Sequence, residues 1–359
     1  MLTLPTYINP DFSKEPFVSS PDAVFVAADG GALPNEFFAC TVFPEYVRIG
    51  GQWNLLEASR PDCVIALREG EPVCIDISDV NEGDVIAVGR TDDGSRGLYT
   101  QSRAFRRDGR SEDETALYRA GYSRETSQTK DYDSLYEVLR YDRENGFILW
   151  ALGAACAFDY DARRAMANLI KAGYAHAIVA GNALCMYDLE ASVCGTSCGR
   201  DVYTKRMQKN GLYNSLDIVN SVRKTGSVAD YVIGNNLRDG IIPAAVREEI
   251  PMLLTGSVRD DGPIPDVVTD SAEARRTLTA LAAKATTVVT LASQVNTVAL
   301  SHATPTYRVE GDTVRPVYFF TVDISEFTVN KARERGADNY SAIVTNIQDC
   351  LVNLERNLI

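Results

Sequence analysis

A chain of 359 residues, 45% apolar and 24% charged, has the balance of an ordinary globular protein and room for about two domains. Its formal net charge of −13 excludes nucleic-acid phosphates and anionic membrane surfaces as main partners, because both attract basic surfaces. Eight cysteines with no CxxC pair, and two histidines (His176 and His302), point to reduced thiols in a cytoplasmic protein and to no metal site.

The N-terminus, MLTLPTYINPDFSKEPF, lacks the basic start and apolar core of a signal peptide, and no apolar run approaches the roughly 20 residues of a membrane span. Residues 1–35 read as an irregular arm. From residue 36 short apolar runs (FFACTVF, YVRI, DCVIAL, PVCIDI, DVIAVG) alternate with turn residues, which predicts a small antiparallel β domain over 36–140. Its last part, about 101–140, is charged and polar and predicts a loop with one or two surface helices. From 141 to 359 apolar strands alternate with helices: FILWAL, then DYDARRAMANLIKAG; AHAIVAG; GLYNSLDIVNSVRKTG and SVADYVIGNNL; PMLLTG, then SAEARRTLTALAAKA; TTVVTLA; VYFFTVD, then SEFTVNKARERG; SAIVT, then NIQDCLVNLERNL. Strands that are apolar throughout, with helices between them, predict an α/β fold: a Rossmann-like, doubly wound parallel sheet covered on both faces.

In such a sheet the ligand crevice lies beyond the carboxyl ends of the strands. The residues there are Asn182 and Ala183; Ser257, Arg259, Asp260 and Asp261; Ser293 to Asn296; Asp323; and Asn346 with Ile347. Asp323, an acidic residue ending a strand ahead of a helix, suits a ribose clamp and equally a helix N-cap. In TGSVRDDGPIPDV, Arg259 has the fork to hold a carboxylate or phosphate, and Asp260 and Asp261 suit a ribose contact or a general base; an acidic turn with a local ion pair has the same composition. There is no GxGxxG loop.

The strings TGSVRDDGPIPDVVTD, AIVAGNALCMYDLEAS and TVDISEFTVNKARERG, followed by AIVTN, resemble the C-terminal region of the LOR/SDH family, which includes archaeal NAD-dependent ornithine cyclodeaminases and the ornithine-processing part of cyanobacterial arginine-degrading enzymes. DCVIALREGEPVCIDISDVNEGDVIAVG resembles that family's small β domain. The resemblance implies a modified Rossmann domain that holds NAD without the glycine motif. It implies cofactor contacts at Asn182, Ala183, Asp261, Ser293, Gln294, Val295, Asn296, Thr297, Asp323, Asn346 and Ile347. It also implies a lyase reaction: oxidation of ornithine at Cα, ring closure with loss of ammonia, and reduction by the same cofactor to proline.

Several histidines of the family are absent here. Their positions carry Tyr187, Leu212, Ser215 and Asn296, and GAACAFD replaces a Gly-Pro string followed by His. The residues left for proton transfer and substrate binding are Asp260, Tyr187, Asp188 and Arg259, with Tyr213 and Asp159 as further proton-transfer groups. Beside ornithine cyclisation stand two alternatives: an NAD-dependent oxidoreductase or lyase for another amino acid or imine, and a non-catalytic homologue that binds NAD or an amino acid. A small amino-acid substrate and a homodimer or homotetramer are the expected partners.

Overall fold

The computed structural model of the chain describes residues 2–106, 129–260, 263–333 and 339–359. The greater part of the charged stretch anticipated near 101–140 falls outside these residues. The N-terminal part is antiparallel. One sheet has the order Val24–Ala27, Val85–Val88, Cys63–Arg68, Glu71–Asp76; a second has the order Gln52–Leu55, Glu45–Ile49, Leu98–Thr100. Val47, Leu56, Cys63, Ile65, Ala87 and Leu98 fill the core between them. The N-terminal arm is less irregular than its Pro, Asp and Ser content suggests. Val24–Ala27 pairs with Val85–Val88 because its β-branched and aromatic residues fit a pleated edge, and the Phe12 ring stacks on Trp53 at 5.0 Å.

The rest of the chain is built on one parallel sheet of seven strands. After helix α1 (Thr129–Asn145) comes β1 (Ile148–Leu152), then α2 (Tyr160–Lys171), β2 (Ala177–Gly181) and α3 (Asn182–Cys194). Helices α4 (Asn214–Thr225), α5 (Val228–Gly234) and α6 (Ile241–Arg247) lead into β3 (Met252–Thr255) and the two-residue edge strand β4 (Val267–Val268). The chain then runs through α7 (Ser271–Ala282), β5 (Thr287–Leu291), α8 (Gln294–Ala303), β6 (Tyr318–Asp323), α9 (Glu326–Arg333), β7 (Tyr340–Val344) and α10 (Ile347–Leu358).

Alternation along β1 sends Ile148, Trp150 and Leu152 into a core with α1, α2, α3 and α10. Leu149 and Ala151 enter a second core with α7 and α8. Both faces are therefore covered, as a parallel sheet requires. The spatial order is β4-β3-β2-β1-β5-β6-β7. The chain winds outward from β1 to one edge, returns to the centre at β5, and winds outward to the other edge. The direction reverses between β1 and β5, which is where a doubly wound sheet opens its crevice.

The two parts meet at a hairpin between α8 and β6, formed by Tyr307–Glu310 and Thr313–Pro316. The fully buried Tyr307 donates its hydroxyl to the Leu56 carbonyl at 2.8 Å. Arg275 on α7 pairs with Asp76 at 2.8 Å. No described helix is long and apolar enough to cross a membrane.

Candidate functional site

At the reversal point the Gly153 amide donates to the Leu291 carbonyl at 2.8 Å. A Cβ at Gly153 would lie 1.8 Å from the Ala292 carbonyl oxygen, so only glycine lets the two strand ends approach this closely. Ala292 itself turns through φ 45°, outside the region favoured by L-residues, and sets Ser293 at the start of α8.

Two helices open onto the sheet's carboxyl edge without a side-chain cap. They are α3, entered through Gly181, and α8, entered through Ser293. Their first-turn amides lack intrahelical partners and the helix dipole favours negative charge there, which is the chemistry of a diphosphate cradle. Helices α2, α7 and α10, by contrast, are capped by Asp159, Asp270 and Asn346. On α8, the Thr297 hydroxyl is buried with no hydrogen-bond partner, an orphan that a ligand or water would satisfy. Val295 is 77% exposed, and Ile324 and Phe327 stand exposed beyond β6. Asp323 ends β6 and is almost buried, with one carboxylate oxygen accepting the Ser325 amide at 2.8 Å. β5, α8, β6 and Asp323 thus form a mononucleotide-type unit: open helix terminus, apolar rim, acidic strand end.

The other half of the crevice lies beyond β1, β2 and β3. The Asn182 carboxamide is buried and bridges the loop after β3. It donates to Asp260 Oδ1 at 3.2 Å and accepts the Ile264 amide at 3.1 Å. Asp260 Oδ2 accepts from the amide and hydroxyl of Ser257 at 2.7 and 3.0 Å. Asp260 is therefore held in the loop's own hydrogen bonds. This accounts for the acidic turn and ties up three of the carboxylate's roughly four acceptor sites. Arg259 is exposed and, among the described residues, forms no ion pair. The Tyr187 ring lies 5.5 Å from that of Phe158. Burial, and then the Cys198 contact, hold this phenol above its ordinary range, while the nearby Arg259 cation opposes the shift.

Other expected site residues are placed elsewhere. Asp188 does not reach the crevice. It is fully buried between α2, α3 and α6, where it takes Arg163 Nε at 2.8 Å and the Ile242 amide at 2.8 Å. A carboxylate sealed in an ion pair cannot exchange protons with a substrate, so its catalytic assignment is corrected to a structural one. Asp159 caps α2 and pairs with Lys205 at 2.6 Å. Tyr213 is exposed on the turn before α4, beside the exposed Leu212. The Asn346 carboxamide caps its own helix through the Gln348 and Asp349 amides, and the Ile347 side chain is packed in the core. Asn296 is buried and accepts the Thr255 hydroxyl at 3.4 Å. Ala183 is half-buried in the first turn of α3, and Gln294 is exposed at the start of α8. Asp261 lies outside the described residues.

Neither histidine stands at this edge. His176 Nδ1 accepts the Ile148 amide at 2.9 Å where β1 begins, and His302 lies 3.7 Å from Asp62. Among the described residues no three His, Cys, Asp or Glu side chains gather as a metal site. Sequence reasoning overlooked Gly153, Phe158 and Cys198. The glycine and Phe158 sat in a string, GAACAFD, read only as a replacement for another motif, and the cysteine was one of eight read only as reduced thiols.

Comparison with known proteins gives a consistent picture. The family described as arginine dihydrolase ArgZ-like, C-terminal, Rossmann fold matches residues 134–354. An ornithine cyclodeaminase of Archaeoglobus fulgidus is 31% identical over 320 residues, covering 88% of this chain and 73% of that protein. The bifunctional arginine dihydrolase/ornithine cyclodeaminase ArgZ of a Synechocystis species is 27% identical over 334 residues, and the match spans 45% of its length. Among solved structures, a conserved putative LOR/SDH protein from Methanococcus maripaludis S2 superposes with a TM-score of 0.83 at 26% identity, covering 94% of this chain and 98% of that one. AgrE in a ternary complex with ornithine and NAD+ superposes with a TM-score of 0.58 at 27% identity, covering 94% of this chain and 46% of AgrE.

Proposed function

The chain belongs to the ArgZ-like C-terminal Rossmann family, and from that premise we propose that it is an NAD-dependent lyase of the ornithine cyclodeaminase type. The observation that carries this reading is the reversal point between β1 and β5, with the mononucleotide-type unit ending in Asp323 on one side and the loop that Asn182 and Asp260 hold beyond β2 and β3 on the other. The residues fit the cofactor. The uncapped starts of α3 and α8 suit its diphosphate, Asp323 its adenosine ribose, and the exposed Ile324 its adenine. NAD, when bound, accepts a hydride from the substrate Cα and returns it to the cyclised product.

This chain's own groups supply the rest. Arg259 forks onto the substrate carboxylate. Tyr187, held above its usual range, stays protonated at neutral pH and donates to the departing amine. Asn182 and Asp260 set the Arg259 loop in place. The absence of an imidazole at this edge supports a second reading, in which the same apparatus serves another amino acid or imine. The setting belonging to this proposal is the cytoplasm, which the eight free thiols suit, and the assembly proposed with it is a homodimer or homotetramer.

Incubation with NAD and L-ornithine should yield proline and ammonia in equal amounts without net NADH. Net NADH, or a different product, would favour the second reading; bound NAD with no turnover of any diamino acid would leave a non-catalytic binder. Asp323→Ala should weaken NAD binding about tenfold or more, a change of about 1.4 kcal/mol. Unchanged affinity in a fluorescence titration would sink the ribose assignment.

A further inference from the structure

The string Gly153 to Asp159 leaves β1 at the reversal point and crosses to α2, and side chains from two distant parts of the chain hold it. Gln348, in the first turn of α10, donates its carboxamide to the Ala155 carbonyl at 3.1 Å. Lys205 holds the other end. Its ammonium donates to the Phe158 carbonyl at 3.2 Å, to Asp159 Oδ2 at 2.6 Å and to the Val202 carbonyl. Three protons meet three oxygens. Tyr203, on the same turn as Lys205, stacks on Tyr160 with ring centroids 4.2 Å apart. Lys205 takes φ 61°, a costly conformation for a non-glycine residue, and Asp201 shapes its turn by accepting the Tyr203 and Thr204 amides at 3.0 and 2.7 Å.

The residue fixed by this clamp is Phe158. Lys205 pins its backbone, and its ring, 37% exposed, stands 5.5 Å from the Tyr187 ring at an angle of 51°. On α3, Ala183, Met186 and Tyr187 share one half-buried face, while Leu184, Cys185 and Asp188 are buried. That face starts at the uncapped N-terminus of α3. It ends where Phe158 meets Tyr187, because Glu190 and Ala191, next along it, are buried. Five residues of helix, about 7 Å, separate Tyr187 from that open end. Neither carboxylate beside the rings is free: Asp159 takes the Ala162 amide and Lys205, and Asp188 is sealed on Arg163. Along the walls of this corner a ligand meets ring carbon.

We propose that Phe158 is a specificity-determining residue of the site, and that Lys205, whose ammonium is already committed, is its positioning residue. The inference rests on the functional reading above and deepens it. The substrate class is an α-amino acid with an unbranched methylene chain. That chain lies against the Phe158 and Tyr187 rings, and Phe158 limits its length. Shielding methylenes from water is favourable, and a fixed ring discriminates by chain length more sharply than a mobile one.

The test is steady-state release of ammonia from L-ornithine and from L-lysine by the full chain, with NAD binding followed separately by fluorescence. Phe158→Ala should lower the ornithine-to-lysine ratio of kcat/KM at least tenfold, since one methylene against an apolar wall is worth roughly 10–200-fold. Lys205→Met should raise KM for ornithine about tenfold, the scale of one lost charged hydrogen bond, with kcat within about twofold. The ornithine-to-lysine ratio should fall in the same direction. Lys205→Arg should recover most of the loss. Lys209→Met, an exposed lysine on the same segment, should leave KM unchanged. NAD affinity should be unchanged in all four variants, and the Lys205→Met melting temperature should fall by no more than about 3 °C, because a half-exposed ion pair contributes little to stability.

An unchanged KM in Lys205→Met would overturn the positioning role. An unchanged ornithine-to-lysine ratio in Phe158→Ala would overturn the specificity role. NAD affinity falling in step with the rise in KM would overturn both, because the loop would then serve the cofactor. In each of these cases the parent still converts ornithine and the functional reading stands. A parent protein that binds NAD and turns over neither amino acid would overturn the functional reading and this inference with it.

Discussion

Asp188→Ala is expected to cost about 3–5 kcal/mol of stability, because it leaves a buried guanidinium without its principal partner. Arg163 is 1% exposed and Asp188 0%. Nε of Arg163 meets Asp188 Oδ1 at 2.8 Å, Nη2 meets the Asp188 carbonyl and the Ser192 hydroxyl at 3.1 Å each, and Nη1 meets Asp239 at 2.9 Å. The second Asp188 oxygen takes the Ile242 amide at the start of α6, so the variant also strands a buried N–H. Gly240 closes the cluster: a Cβ there would lie 2.4 Å from Arg163 Nη2 and 2.7 Å from Asp188 Oδ2. One carboxylate thus ties α2, α3 and α6 together behind the crevice. Denaturant unfolding measures the loss. At temperatures where the variant is still folded, NAD binding should persist. Lost turnover with unchanged stability would return Asp188 to the catalytic set.

Glu45→Gln should stabilise the protein at pH 8. Glu45 is fully buried where the N-terminal sheets meet the Tyr307 hairpin. Its Oε1 accepts the Thr41 amide at 2.6 Å, and its Oε2 has no hydrogen-bond partner. Ser59, Cys40 and Tyr307 surround it, and desolvation pushes the carboxyl up to about 7. A carboxyl raised on folding binds more protons in the native state than in the unfolded one. Its contribution to stability is therefore complete below the unfolded value of 4.5 and is lost as pH climbs through about 7. Glutamine keeps the shape and carries no charge at any pH. The variant should gain up to about 3 kcal/mol relative to the parent at pH 8 and little at pH 4.5. Parallel unfolding curves at the two pH values decide the matter; a difference between parent and variant that does not change with pH would contradict the assignment.

The sheet was legible because its strands are buried on both faces. FILWAL, AHAIVAG, PMLLTG, TTVVTLA, VYFFTVD and SAIVT all became strands at the anticipated places. Strand ends followed from the strands, so the crevice positions did too. Val267–Val268 escaped notice because two residues carry no periodicity, and helix α3 because NALCMYDLEASVC follows its strand with no separating turn.

The roles of the carboxylates were the least legible part. Asp188 and Asp260 look alike in sequence, and only the third dimension shows one locked on Arg163 and the other on Ser257 and Asn182. Glu190 was equally unannounced: its carboxylate accepts the Thr196 hydroxyl and the Cys198 and Gly199 amides six to nine residues on, a pairing that no local pattern marks.

The central claim is that one bound cofactor removes and restores the same hydrogen at the substrate Cα. L-ornithine labelled with deuterium at Cα tests it most directly. Proline should carry the deuterium at Cα, with one ammonia per proline and no exchange with solvent or with added NADH. Proline that has lost the label, or label accumulating in free NADH without proline, would contradict it.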